Sequence, residues 1–181
     1  MRLLRNSVHG MLVLATMAVA SSPKAAFADR DHAVPITGTF TEAAVLPSAL
    51  DYCNGGGTPI EFLGMGNISK LGPLFLTVRK CATAVGGVLT YAGTFTMTAG
   101  NGDTLGGTYA GARIVLPNEN GYAQHQGAFT VTGGTGRFRH ASGILSWTAV
   151  TSARSVGVTA PTVNQQAFYL VQGTMSSHEK D

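Results

Sequence analysis

Three observations predict an all-β domain of eight antiparallel strands. Between Leu89 and Ala99 the residues alternate strictly, with Leu89, Tyr91, Gly93, Phe95, Met97 and Ala99 on one face and Thr90, Thr94, Thr96 and Thr98 on the other. That period of two is the signature of a half-buried strand. Two turn signals, Asn101-Gly102 and Gly133-Gly134-Thr135-Gly136, supply the positive-φ positions that tight reversals need. No stretch keeps a helical period, and 24 glycines in 181 residues is about twice the ~7% average, which disfavours long helices. Closing eight such strands would remove every exposed edge and leave an interior just wide enough for side chains or one small ligand.

The elements follow in order. After a polar lead-in from Asp29 to Val34, Pro35 to Thr41 alternates as a first strand, with the proline confined to its start or to an edge. Residues 45–56 carry no clear pattern, and Asn54-Gly55-Gly56-Gly57 reads as a loop. Pro59 to Ile68 and Leu74 to Ala82 are strands joined around Lys70-Leu71-Gly72-Pro73. The Leu89 to Ala99 strand turns at Asn101-Gly102 into Asp103 to Val115, and a Pro-Asn-Glu-Asn-Gly loop at 117–121 follows. Gln124 to Thr132, Arg137 to Thr151 and Ala167 to Met175 complete the set, the last after an irregular connection from Ser152 to Gln165.

The segment from Thr130 to Gly143 reads T-V-T-G-G-T-G-R-F-R-H-A-S-G, and Thr98 to Leu105 forms a second hairpin around N-G-D-T-L. Together they resemble the allene oxide cyclase and dirigent superfamily. In plant dirigent proteins the segment typically reads G-G-T-G, a variable residue, Phe-Arg, then Ala-Arg-Gly. Bacterial secreted relatives tend to show G-G-T-G-R-F, then small residues and a glycine, which this chain matches more closely. The resemblance extends from roughly Ile60 to Met175. It implies a closed eight-stranded antiparallel barrel of calycin type, a cofactor-free isomerase or cyclase activity, and assembly as a homodimer or homotrimer. Ser142 stands where dirigents place the arginine of Ala-Arg-Gly, so that residue's role is not inherited, and no complete cyclase catalytic set maps onto this chain.

The first residues read as a secretory signal. Arg2 and Arg5 form a positive start, Met11 to Ala20 an apolar run, and Ala26-Phe27-Ala28 an A-x-A cleavage site. Residues 1–28 are therefore expected to be removed, leaving one domain over 29–181 in the periplasm or outside the cell. The apolar run is half of the ~20 residues a transmembrane helix needs, so no anchor should remain after cleavage. Losing Arg2, Arg5 and Lys24 reduces the twelve basic residues to nine, equal to the nine acidic ones. A neutral chain with no Lys/Arg cluster beyond Arg79-Lys80 and Arg137/Arg139 offers no footprint for nucleic acid. Cys53 and Cys81 both lie in the exported part, where an oxidising compartment lets them pair.

The inward phase of the strands gathers the site candidates. Tyr91, Phe95, Phe129, Val131, Leu145 and Trp147 should line an aromatic lumen, and His125 shares the phase of Phe129. Tyr109 and Arg113 share a face with Leu105 and should reach the interior near a mouth. Glu61 is in phase with Leu63 and Met65, although Ile60 and Phe62 leave that strand's phase open. A functional reading makes His125, Glu61, Tyr91 and Tyr109 a small polar cluster in an apolar cavity, able to tune an acid or base. The plainer reading makes the aromatics packing residues and His125 a hydrogen-bonded core histidine. Arg137 and Arg139, two apart on an expected strand, should point the same way. No metal-ligand spacing, phosphate loop, G-x-S-x-G elbow or dinucleotide fingerprint is present, so neither metal nor cofactor is expected. The partner these features suit is a small, largely apolar ligand. The alternative is an envelope or extracellular structural or interaction protein whose barrel is filled by side chains.

Overall fold

The computed structural model describes residues 33–45, 52–116, 118, 120–152 and 166–177. The expected signal peptide, residues 1–28, lies outside them. Eight strands form one closed antiparallel barrel in simple sequential order: β1 (Val34–Val45), β2 (Thr58–Ile68), β3 (Gly72–Val85), β4 (Val88–Ala99), β5 (Thr104–Val115), β6 (Tyr122–Gly134), β7 (Ala141–Ser152) and β8 (Gln166–Ser177). Closure is made by β1, which pairs with β2 on one side and β8 on the other. Pro35 pairs only with Thr174 of β8, because the β1–β2 ladder begins at Gly38. The proline thus occupies the overhang where one side of the strand has no neighbour, and its missing N–H breaks no ladder.

Alternation sets the interior. On β4, Tyr91, Phe95, Met97 and Ala99 are buried while Thr90, Thr94 and Thr96 are exposed. Phe95, Phe129, Tyr109, Trp147 and Tyr169 form a continuous aromatic column. Phe95 meets Phe129 edge to face at 4.9 Å, Tyr109 stacks on Trp147 at 5.1 Å, and Trp147 meets Tyr169 edge-on at 5.2 Å. Such offset and edge contacts suit the ring quadrupole better than face-to-face sandwiches. Room for the indole comes from Gly111 and Gly127 on adjacent strands, since a Cβ at Gly111 would lie 2.5 Å from the Trp147 ring and one at Gly127 would also collide with it.

The glycine-rich turn departs from the sequence expectation. Arg137 to Thr151 is not one strand: Gly136–Phe138 forms a 3-10 turn, and β7 starts at Ala141. Arg137 and Arg139 therefore do not share a strand face. Phe138 is fully buried and stops one end of the barrel, while the Arg137 guanidinium donates to the Leu71 carbonyl at 3.0 Å and lies 4.0 Å from Asp103. Gly136 sits at φ +52° against the Asp103 carboxylate, where a side chain would be both strained and obstructed. The motif is a plug.

At the opposite rim the Cys53–Cys81 disulfide is formed, with a Cα–Cα distance of 5.7 Å. It ties the segment before β2 to β3. Because Cys81 follows Lys80, alternation turns the disulfide away from the lumen and Lys80 into it. The two cysteines are 28 residues apart, which on the chain-entropy model gives about 3–4 kcal/mol of stabilisation. Replacing both cysteines by serine should lower the unfolding free energy by that amount, seen as a lower denaturant midpoint, and raise the m value because the unfolded chain loses its cross-link. An unchanged midpoint would show that the staple carries no stability.

Candidate functional site

At the rim opposite the Phe138 plug the interior opens into a cavity of about 200 Å³, lined by Ile60, Phe62, Leu89 and a set of polar side chains: Lys80, Tyr91, Tyr109, Arg113, His125, Thr151 and Tyr169. Six strands contribute these polar groups, one or two each, and a seventh, β1, brings Glu42 into the same region. The volume is several times the ~30 Å³ share of one water. It is below the ~300–1,000 Å³ of drug-sized pockets, which limits an occupant to something of roughly one ring.

Four of the sequence candidates meet here. The Tyr91 hydroxyl lies 3.1 Å from His125 Nδ1, and His125 Nε2 lies 2.9 Å from Thr151 Oγ1. One nitrogen of a neutral imidazole accepts and the other donates, so the chain Tyr91–His125–Thr151 is satisfied in a single tautomer. Burial, then the nearby Lys80 and Arg113 charges, lower the His125 pKa to about 4. His125 is neutral at physiological pH. Tyr109 and Arg113 also line the cavity, as their phase predicted, whereas Phe95, Phe129 and Trp147 sit in the packed column and do not line it.

Glu61 requires correction. It faces outward with Leu63 and Met65, which are 51% and 61% exposed, and pairs with Arg79 at 3.2 Å on the barrel's outer surface. Phe62 takes the inward position. The acid of the lumen is Glu42 instead, 3% exposed, and its basic counterpart is Lys80, 5% exposed. Sequence reasoning passed over both, yet the signal was present: Ile36, Phe40 and Glu42 share one phase, as do Leu74, Leu76, Val78 and Lys80. A charge in the phase of a buried apolar row is the mark to look for.

Neither charge is well compensated. Both carboxylate oxygens of Glu42 lack a hydrogen-bond partner. The Tyr169 hydroxyl approaches the carboxyl without closing a bond of good geometry. Lys80 Nζ has one long contact, 3.5 Å to the Tyr109 hydroxyl, and otherwise faces aromatic rings: Phe62 at 4.2 Å, Tyr91 at 4.3 Å and Tyr109 at 5.0 Å from their centroids. Desolvation raises the Glu42 pKa to about 7 against the pull of Lys80, and lowers that of Lys80 to about 8 against the pull of Glu42. Burial thereby brings an acid and a base toward one another in proton affinity and toward neutrality, the condition in which proton transfer is most effective. The Tyr109 and Tyr169 hydroxyls, pushed well above the ordinary phenol range by burial, stay protonated as donors. Among the described residues no cluster of three or more His, Cys, Asp or Glu is placed to hold a metal ion.

No protein-family model matches this chain, and no curated protein matches it. Among solved structures it is similar to a pterocarpan synthase dirigent protein, at 13% sequence identity over 84% of this chain and 89% of that one, with a TM-score of 0.42.

The raised Glu42 pKa has a consequence for stability. A carboxyl that binds its proton more tightly when folded contributes stability that is complete below its unfolded pKa, near 4.5, and is lost as pH rises through about 7. Glu42→Gln, which keeps the shape of the neutral acid, should leave stability unchanged below pH 4.5 and raise it by about 3 kcal/mol at pH 8. Denaturant melts across that range check the sign. Equal stability of the two proteins at pH 8 would mean that the buried carboxyl is not penalised.

Proposed function

We propose that this barrel binds a small, largely apolar molecule in its mouth cavity and, without a cofactor, moves a proton on it. Isomerisation or cyclisation is the reaction class that fits. One observation carries the reading: a buried base, Lys80, stands in the cavity wall with Phe62, Tyr91 and Leu89, and a buried acid without a hydrogen-bond partner, Glu42, lies within its electrostatic reach. Apolar walls would hold the molecule's body in a folded conformer, so that a reaction within it proceeds from an oriented state. The hydroxyls of Tyr109 and Tyr169 can donate to a carbonyl or ether oxygen, and the Glu42 carboxyl can give a proton to the same molecule. An exported location agrees with the Cys53–Cys81 bond and with the signal-like start of the chain.

A second reading draws on the outer surface. A groove of about 830 Å³ runs over Thr41 and Ala43 of β1 between Leu63, Met65 and Phe75 on one flank and Val150 and Phe168 on the other. Apolar side chains left exposed in this number suit a protein contact, so the alternative is an interaction module in which the lumen has only a packing role.

The two readings part on mass. Native mass spectrometry of protein taken from its own envelope fraction should show one small apolar compound per chain. A barrel without cargo, carried in a larger assembly, favours the second reading. Two substitutions separate packing from binding. Trp147→Ala should cost about 3–5 kcal/mol of stability through the cavity it leaves. Tyr91→Phe removes a single hydroxyl and should weaken ligand binding by up to about tenfold while costing ~1 kcal/mol of stability.

A further inference from the structure

Lys80 is the group in the lumen that packing explains least. A buried ammonium is ordinarily matched by a close carboxylate or by several hydrogen bonds, because the cost of desolvation is otherwise not recovered. Here the Glu42 oxygens accept no hydrogen bond from it, and its own polar contact is the 3.5 Å approach to Tyr109. Yet its Nζ borders the cavity, held over three ring faces at 4.2–5.0 Å. A small apolar molecule in that cavity would meet this nitrogen directly. Amines desolvated in an apolar pocket are the ones that act as nucleophiles toward carbonyls.

We propose that Lys80 is a carbonyl-capturing residue, its Nζ forming an imine with a small apolar aldehyde or ketone held in the mouth cavity. The inference rests on the lumen-binding reading and gives its ligand a functional group. The neutral Nζ adds its lone pair to the carbonyl carbon, the C=O pair moves to oxygen, and a proton passes from nitrogen to that oxygen to give a carbinolamine. The Glu42 carboxyl then protonates the hydroxyl, which leaves as one water. The C=N bond remains as an iminium facing the Glu42 carboxylate. No oxidant or reductant enters. The aromatic faces that hold the ammonium also suit the iminium cation, and the carboxylate left on Glu42 is its counter-ion.

The pH behaviour follows from the groups around Nζ: Glu42 from β1, Tyr91 from β4, Tyr109 and Arg113 from β5, His125 from β6 and Tyr169 from β8. The tyrosines stay protonated and His125 is neutral. Glu42 and Lys80 are left to titrate near neutrality. Capture should be fastest in the window where Lys80 has begun to lose its proton and Glu42 has not wholly lost its own.

The test uses the purified protein with its disulfide intact, benzaldehyde as probe, and benzyl alcohol as a ring of similar size without a carbonyl. Saturation-transfer NMR reads reversible binding of both, and cyanoborohydride followed by peptide mapping reads the imine as a benzyl group on lysine. The expected result is that both compounds bind and that Lys80 is labelled near neutral pH on the order of tenfold faster than the exposed Lys70, since burial disfavours the Lys80 ammonium and the bound ring presents its carbonyl there. Lys80→Arg, which keeps the charge but cannot form the imine, should lose the fast label. The mapping on unaltered protein stands even if that variant fails to fold. Binding of both compounds with Lys80 labelled no faster than Lys70 overturns the role of Lys80 and leaves the lumen reading intact. Absence of binding by either compound overturns both.

Discussion

Everything in this protein depends on the β1–β8 ladder that closes the sheet. Eight strands enclose a space about one layer of side chains wide, so each inward position competes with those across the barrel. The competition is visible at Trp147, whose ring is admitted because Gly111 and Gly127 withhold side chains there. Closure also removes every edge, so the exposed threonines of β4 meet solvent without offering an unpaired ladder. The lumen is therefore decided position by position, and a charge in the inward phase has nowhere else to go.

The two ends resolve that constraint differently. At one end the 3-10 turn lowers Phe138 into the barrel and the Arg137 guanidinium ties it to the Leu71 carbonyl. Above it, the aromatic column from Phe95 to Tyr169 is packed ring against ring. At the other end the column gives way to hydroxyls, an imidazole, a guanidinium and an amine around open space. Stability is concentrated at the plugged end, and poorly matched charge at the other. Proteins commonly accept such local cost where chemistry or binding needs it. The disulfide joins the rim to β3 beside Lys80, so the chain opposes the cost of burying that amine close to where it arises.

Strand existence and phase were legible because alternation is a local property. The rows Tyr91–Phe95–Met97 and Phe129–Val131 are buried as their period requires, and the half-cystines are paired as an exported chain allows. The Arg137 region misled because a glycine-rich run followed by apolar alternation reads as hairpin and strand. Gly136 in the left-handed region against Asp103 turns the chain into a 3-10 step instead. Glu61 misled for another reason: Ile60, Phe62, Leu63 and Met65 give β2 two apolar faces, and such a strand does not declare which one is inside.

Sequence by itself determined the all-β class, the number and order of the strands, the cysteine pairing and most of the aromatic interior, since each follows from periodicity, turn chemistry or compartment. Tertiary structure alone decided that Glu42 comes within electrostatic reach of Lys80, 38 positions away in the chain, and that Lys80 shares one cavity with Tyr109, His125 and Tyr169. The physical reason is closure. Bringing β1, β3, β5, β6 and β8 around a common axis places residues from non-adjacent strands face to face across the lumen. The proton affinities of the site arise from that shared, desolvated space and from no single segment.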